Sequence, residues 1–264
     1  MINKTTVIRQ WLFYFKEEIL MGDINMANRQ CCDLDIRDYK TKKPWMFADF
    51  CNTTTMGFSS DPVYANKKGQ KCIKFDNPLD GTIAMTFQVH PFKIYAMLSD
   101  GEIETSGILA QKEVVQGGES GKLTVEGTPV AGTVFVYKED DFGGTEIKGS
   151  FSEKTFTATS IEDIKTNEKY VVGYLEKKET GIKKVSFNNK KIPKYFYVQM
   201  STLDKNEEGE LVPMRITCYK GSPQRKLDLS FSSDGDPAEI TITLDALVDE
   251  NGDVLDMIEV VSEE

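Results

Sequence analysis

Apolar and polar residues alternate most clearly in TIAMTFQV, where Ile83, Met85, Phe87 and Val89 fall on one side and Thr82, Thr86 and Gln88 mainly on the other. A strand turns successive side chains to opposite faces, so this spacing predicts a half-buried strand. HPFKIYAMLSDG follows directly. Pro91 suits a first helical turn, Phe92, Ile94, Tyr95 and Leu98 stand at helical spacings, and Ser-Asp-Gly stops the segment, which predicts a short α-helix. Twelve further segments, from KCIKF and KLTVEG through GTVFVYK, KYVVGYLEKK, KYFYVQMS and VPMRITCYK to KLDLSFS, AEITITLDAL and DVLDMIEVV, are short and rich in β-branched and aromatic residues. The opening VIRQWLFYFKEEIL mixes two periods and is read as a strand through Trp11, Phe13 and Phe15. The pattern as a whole predicts a mainly β protein with one flanking helix.

Turn residues subdivide the chain. Between about 116 and 185, five or six strands at sandwich-like spacing predict a small inserted β-sandwich, with residues 1–115 and 186–264 pairing as one discontinuous domain. The alternative is that this middle section continues one large sheet system. Near the end, FSSDGDPAEITITLDAL reads as a hairpin in which Gly235 supplies an unusual backbone angle, Asp236 sits in the turn and Pro237 opens the next strand.

Length and composition allow a real core: 264 residues, 39% hydrophobic and 28% charged. Neither a signal peptide nor a membrane anchor is expected, because charged residues interrupt the apolar opening stretch. Five cysteines, Cys31, Cys32, Cys51, Cys72 and Cys218, never fall in a CxxC spacing and are expected as reduced thiols. The net charge of −10 is uneven: no lysine or arginine follows Lys226, so residues up to that point carry about +2. A chain so charged is a poor candidate for gripping nucleic acid, which needs clustered cations.

Catalytic and metal chemistry find little support. The lone His90 stands before Pro91 without a G-x-S-x-G partner and reads as a packing or capping residue. GGESGKL misses the phosphate-loop spacing and reads as a flexible linker, and Asn3-Lys4-Thr5 and Asn52-Thr53-Thr54 are glycosylation sequons on paper only. Among three acidic glycine turns, DKNEEGELVPMR comes nearest to a calcium loop, but Arg215 stands where a bidentate glutamate is required. No metal, cofactor or catalytic residue is expected, although carboxylate pairs are recognised only by geometry.

The order of several short motifs carries a resemblance. DPVYANKKGQKCIKFDNPLDGTIAMTFQVHPFKIYAMLSDG, followed much later by IPKYFYVQMSTLDKNEEGELVPMRITCYK and SSDGDPAEITITLDAL, resembles bacteriophage major tail or tail tube proteins. The likeness covers roughly residues 60–100 and 190–261. It assigns Tyr64 and Ala65 to the first shared strand, Gly81 and Thr82 to the strand before the helix, and Lys93 to Leu98 to the helix. Pro193, Lys194 and Tyr195 fall in the next strand, and Gly235, Asp236 and Pro237 in the late hairpin. Departures are Ile192 where the family often has Phe, and Ser-Asp-Gly rather than Ser-Gly after the helix.

What the resemblance implies is a β-sandwich or barrel-like pair of packed sheets with one short helix, assembled as six-membered rings that stack into a hollow tube for DNA. The expected partners are other copies of the chain and possible tape-measure, sheath or tail-terminator proteins. The expected location is the virion tail, made in the host cytoplasm. On this reading Glu239, Thr241, Thr243 and Asp245, opposite Ile240, Ile242 and Leu244, face the bore. Two alternatives stand: another ring-forming tail or baseplate component, and an immunoglobulin-like module that binds carbohydrate or a cell surface, which aromatics on one loop end would favour.

Overall fold

The computed structural model describes residues 25–260, so the strand expected around Trp11 lies outside the described residues. Seven strands come first: β1 (Met26–Asn28), β2 (Asp33–Asp38), β3 (Pro44–Ala48), β4 (Thr53–Ser59), β5 (Val63–Lys67), β6 (Gln70–Phe75) and β7 (Asp80–Phe87). Then come β8 (Gly107–Gln116), β9 (Lys122–Thr124), β10 (Phe135–Lys138), β11 (Gly149–Ser152), β12 (Thr155–Ala158) and β13 (Lys169–Lys178). β14 (Phe196–Asn206), β15 (Leu211–Pro223), β16 (Ile240–Leu247) and β17 (Leu255–Glu259) follow. The protein is mainly β, in several antiparallel sheets, and no barrel is closed.

The chain divides into two compact units, one running to Gly101 and resuming at Asn189, the other Glu102–Asn188. In the first, seven strands follow the order β3-β2-β14-β15-β16-β7-β4, with β1 added to β14 and β17 to β15. β3 and β4 stand at opposite ends of that order, yet only residues 49–52 join them. Laid flat, six strand spacings of ~4.8 Å would part them by ~29 Å. The joining chain reaches at most about 18 Å, so the sheet must curl round its own core.

That core is what alternation predicts. Leu34, Ile36, Phe196, Val198 and Met200 of one half meet Ile83, Met85, Phe87, Ile240, Ile242 and Leu244 of the other. Trp45 packs on Phe196 at 5.1 Å between ring centroids, and Phe50 on Phe87 at 5.5 Å. Val89, expected on the core side, lies past the end of β7 and is exposed, because the ladder has stopped. All five cysteines are free, and burial pushes the Cys51 thiol up to about 12 and Cys218 up to about 11.

The helix forms where expected but as a 3-10 segment, Phe92–Leu98, rather than an α-helix. Ile94, Ala96, Met97 and Leu98 are all buried, so three consecutive residues must face the core; the three-residue turn, which begins with Ile94 N–H donating to the Pro91 carbonyl, accommodates them. His90 Nε2 is 2.9 Å from the Tyr95 hydroxyl, and the rings meet edge to face.

The second unit holds two three-stranded sheets, β10-β13-β8 and β11-β12-β9, around a core that includes Leu123, Val136, Phe156, Tyr170, Val172 and Tyr174. It starts at Glu102, ahead of the boundary expected near 116, because β8 pairs along its whole length with β13. GGESGKL is a packed turn and not a linker. Gly117 is buried, donates its N–H to the Glu168 carbonyl at 2.7 Å, and leaves no room for a Cβ beside the Lys165 carbonyl.

Candidate functional site

Strands β4, β7 and β16 lie side by side, and registration fixes which residues share a face. Thr53, Thr55, Gly57 and Ser59 stand opposite Thr86, Ala84, Thr82 and Asp80, and Thr86, Ala84 and Thr82 in turn oppose Thr241, Thr243 and Asp245. Their neighbours in sequence, Ile83, Met85, Phe87, Ile240, Ile242 and Leu244, are fully or nearly fully buried, so this second set faces away from the core. The result is a continuous outward surface of hydroxyls and carboxylates, and none of the three strands contains a lysine or arginine.

Several side chains on this surface bond to one another or to Gln224. The Thr86 and Thr241 hydroxyls are 3.0 Å apart, and the Gln88 amide donates to Glu239 at 3.2 Å. The Gln224 amide donates to the Asp245 carboxylate at 2.6 Å while the Gln224 backbone N–H donates to the Thr243 carbonyl. Beside Thr241 and Thr243, a shallow hollow of about 250 Å³ is framed by Glu239, Lys226 and Asp228, with the Lys226 ammonium 3.3 Å from Asp228. This cation is thereby paired with an acid.

The other half of the same outward face is built differently. Between Val198↔Cys218 and Phe196↔Gly221, β15 has one residue more than β14. Cys218 and Gly221 both point to the core, so this bulge turns Tyr219 and Lys220 outward together. Lys220 lies 5.0 Å from the centre of the Tyr195 ring and 5.6 Å from Tyr39, and Lys42 lies 4.6 Å from Tyr39 and 4.7 Å from Tyr197. Tyr219 packs edge to face on Tyr197 and donates its hydroxyl to Asp256; that bond to a carboxylate, then burial, pushes the phenol up to about 12.

The residues singled out from sequence therefore scatter. Glu239, Thr241, Thr243 and Asp245 share the hydroxyl surface. Gly81 is buried beneath it, where a Cβ would stand 3.1 Å from Ala246 Cβ and 3.4 Å from Leu255 Cδ1. Pro193 is half-buried and precedes β14 rather than lying in it, and Tyr195 belongs to the ring-and-cation half. Gly235, at φ +95°, Asp236 and Pro237 are not in a hairpin: residues 224–239 form one long irregular loop, exposed throughout from 228 to 239. KLDLSFS finds no partner because β16 and β17 already occupy that edge of β15.

Sequence reading missed Thr53, Thr55, Gly57 and Ser59. Their period of two is the available signal, and the Asn52-Thr53-Thr54 sequon overlaps its start. The acidic turns serve the backbone: Asp249 accepts the Asn251 and Asp253 N–H groups, and Asn206 accepts that of Glu210.

No curated protein matches the chain. Over residues 29–259 it matches the model of the YomU/Tube protein family, a span that takes in the curled sheet, the hydroxyl surface and the second unit. The chain thus belongs to the YomU/Tube protein family, and its role is that of a structural protein of a phage tail tube.

Proposed function

We propose that the chain assembles as stacked six-membered rings and that the β4–β7–β16 surface lines the bore through which DNA passes. The observation that carries this reading is the absence of lysine and arginine from all three strands beneath a surface of short hydroxyls and carboxylates. DNA adheres to proteins chiefly by exchanging its counterions for protein cations. The three strands offer no cation for such an exchange, Lys226 beside them is paired with Asp228, and Thr86, Thr241, Gln88 and Glu239 already bond to one another. Glu239 and Asp245 add repulsion, which keeps the duplex off the wall.

Electron microscopy of the purified protein at high concentration tests the assembly: hollow tubes or six-fold rings are expected, and a persistent monomer overturns it. In tubes, labels at Thr55 and Thr241 should be reachable only by reagents small enough to enter the bore; free access of large reagents overturns the assignment of that face. Tape-measure, sheath or terminator proteins are the partners that this role calls for.

A second reading concerns the Glu102–Asn188 unit alone. Phe135 and Phe142 are about half exposed on the outward side of β10-β13-β8, and with Tyr137 and Leu175 they line a groove of about 310 Å³. Exposed rings over a small groove suit stacking on a sugar. Glycan binding by the assembled protein, abolished in Phe142→Ala, is the result that supports this role, and no binding on a broad glycan panel removes it.

A further inference from the structure

Ladder register brings two thiols opposite each other. β2 and β3 pair Ile36 with Met46, Asp35 with Phe47 and Leu34 with Ala48. In an antiparallel pair each step back along one strand is a step forward along the other, so three more steps set Cys31 opposite Cys51. Opposed residues stand ~5 Å apart at their Cβ atoms, close to the span of a disulfide. The side chains agree with the register. Cys31 Sγ lies 3.4 Å from the Thr54 hydroxyl, and the same hydroxyl bonds the Cys51 thiol, so one oxygen of β4 touches both sulfurs. Both cysteines are half-buried.

The other three cysteines are placed differently. Cys32 adjoins Cys31, and neighbouring Cα atoms ~3.8 Å apart are too close for ordinary disulfide geometry. Its thiol bonds instead to Thr202 of β14. Cys218 is sealed in the core, and Cys72 stands on β6, in a separate two-stranded sheet. Cys31 and Cys51 also hold a particular place in the fold. One leads into β2, and the other into β4 from the short link that joins the two ends of the curled sheet. A tail tube is a virion component, and virions meet the oxidising surroundings in which disulfides persist.

We propose that Cys31 and Cys51 are an oxidisable pair that closes into a disulfide across the seam of the curled sheet, with a small-molecule disulfide as the oxidant. The Cys31 thiolate attacks one sulfur of the oxidant, whose S–S bond breaks and releases one small thiol. The Cys51 thiolate then attacks Cys31 Sγ in the mixed disulfide and releases the second. Two cysteine thiols are oxidised, one small disulfide is reduced to two thiols, and the two cysteine protons pass through solvent to the leaving sulfurs. Burial, first, and the thiols beside it keep Cys51 protonated at neutral pH, which makes it the second to react. The bridge closes a loop of about 20 residues and should raise the melting temperature by roughly 5–10 °C.

The test incubates the full chain with oxidised glutathione, alkylates the remaining thiols in denaturant, and sequences the unreduced digest by mass spectrometry. A peptide linked through Cys31 and Cys51 is expected, with alkyl groups on Cys32 and Cys218 and either an alkyl group or glutathione on exposed Cys72. The raised melting temperature should fall back when a reductant opens the bridge. Cys32→Ser should still form the link, whereas Cys51→Ser should stop at glutathione on Cys31. In the unaltered protein, which needs no variant to fold, glutathione left on Cys31, a link through Cys32, or alkyl groups on both Cys31 and Cys51 overturns the pair. A link that leaves the melting temperature unchanged overturns its role as a fastening of the seam.

Discussion

Two halves of one outward face share a sheet, a side-chain period and a common core, yet the cluster of tyrosine rings and cations stands in one half alone. Along β4, β7 and β16 the outward positions are threonine, serine, alanine, glycine and carboxylate. Along β2, β14 and β15 the outward positions, with the adjoining Tyr39, Lys42 and Tyr195, bring tyrosine rings and cations together, as in the cluster of Tyr39, Tyr195, Tyr197, Lys42 and Lys220. Alternation decides which residues point outward, but it leaves what those residues are free to vary. The core holds both halves in place, and the outward chemistry is where function is written.

If that is right, truncating the core should hurt both halves alike. Phe196→Ala, under the ring half, and Phe87→Ala, under the hydroxyl half, should each cost about 3–5 kcal/mol in urea unfolding. A loss of stability from only one of them would mean that the halves do not share a core. Next comes Gly81→Val, which forces a side chain between Ala246 and Leu255. A cost of about 1–3 kcal/mol in the same measurement is expected, and a neutral result would show that β17 can move away from β7.

The ring half should also respond to alkali. Tyr219 is raised in the folded protein while an unfolded tyrosine ionises near 10. The unfolded chain therefore releases its proton first, and the stability that Tyr219 contributes, complete below pH 10, is lost as pH climbs toward 12. Thermal melts of Tyr219→Phe across that window should fall less steeply than those of the unaltered protein. Part of the slope should persist, because burial first and then the hydrogen bond to Glu113 push Tyr174 up to about 12 as well. Parallel curves for the two proteins would remove Tyr219 from the account.

Least affected in stability should be the hydroxyl half. Thr55→Lys and Thr241→Lys alter exposed positions and should shift unfolding by no more than about 0.5 kcal/mol. On assembled tubes, though, the pair should create DNA binding that weakens steeply with salt, measured by co-sedimentation. Tubes carrying both lysines that still ignore DNA would place this surface outside the bore.

How much of this was legible beforehand depends on whether a strand's partner could be inferred. β7 and β16 announced themselves because Ile83, Met85 and Phe87, and Ile240, Ile242 and Leu244, alternate without interruption. β8 did not, since GILAQKEVVQ begins with adjacent apolar residues and carries Lys112 and Glu113 at its centre. KLDLSFS alternates as well as β16 does, yet it forms no ladder, and the edge of β15 is already held by β16 and β17. Spacing could place the helix but not its type, since Phe92, Tyr95 and Leu98 satisfy a three-residue turn as readily as an α-helical one. Of the outward surface, the β16 positions follow from alternation opposite Ile240, Ile242 and Leu244, while those of β4 become visible only when register sets them beside Thr82 and Thr86.

β15, thirteen residues long, has a mechanical consequence. Along one edge it carries β17 on residues 214–218 and then β16 on 220–223, while β14 runs along the other edge. β16 and β17 thus meet end to end on a single backbone that bridges the gap between them, as overlapping planks do in a lap joint. A pull along β17 is shared across its ladder in shear and then handed past the gap by covalent bonds, so the place where two short strands abut is not where the sheet would part under load.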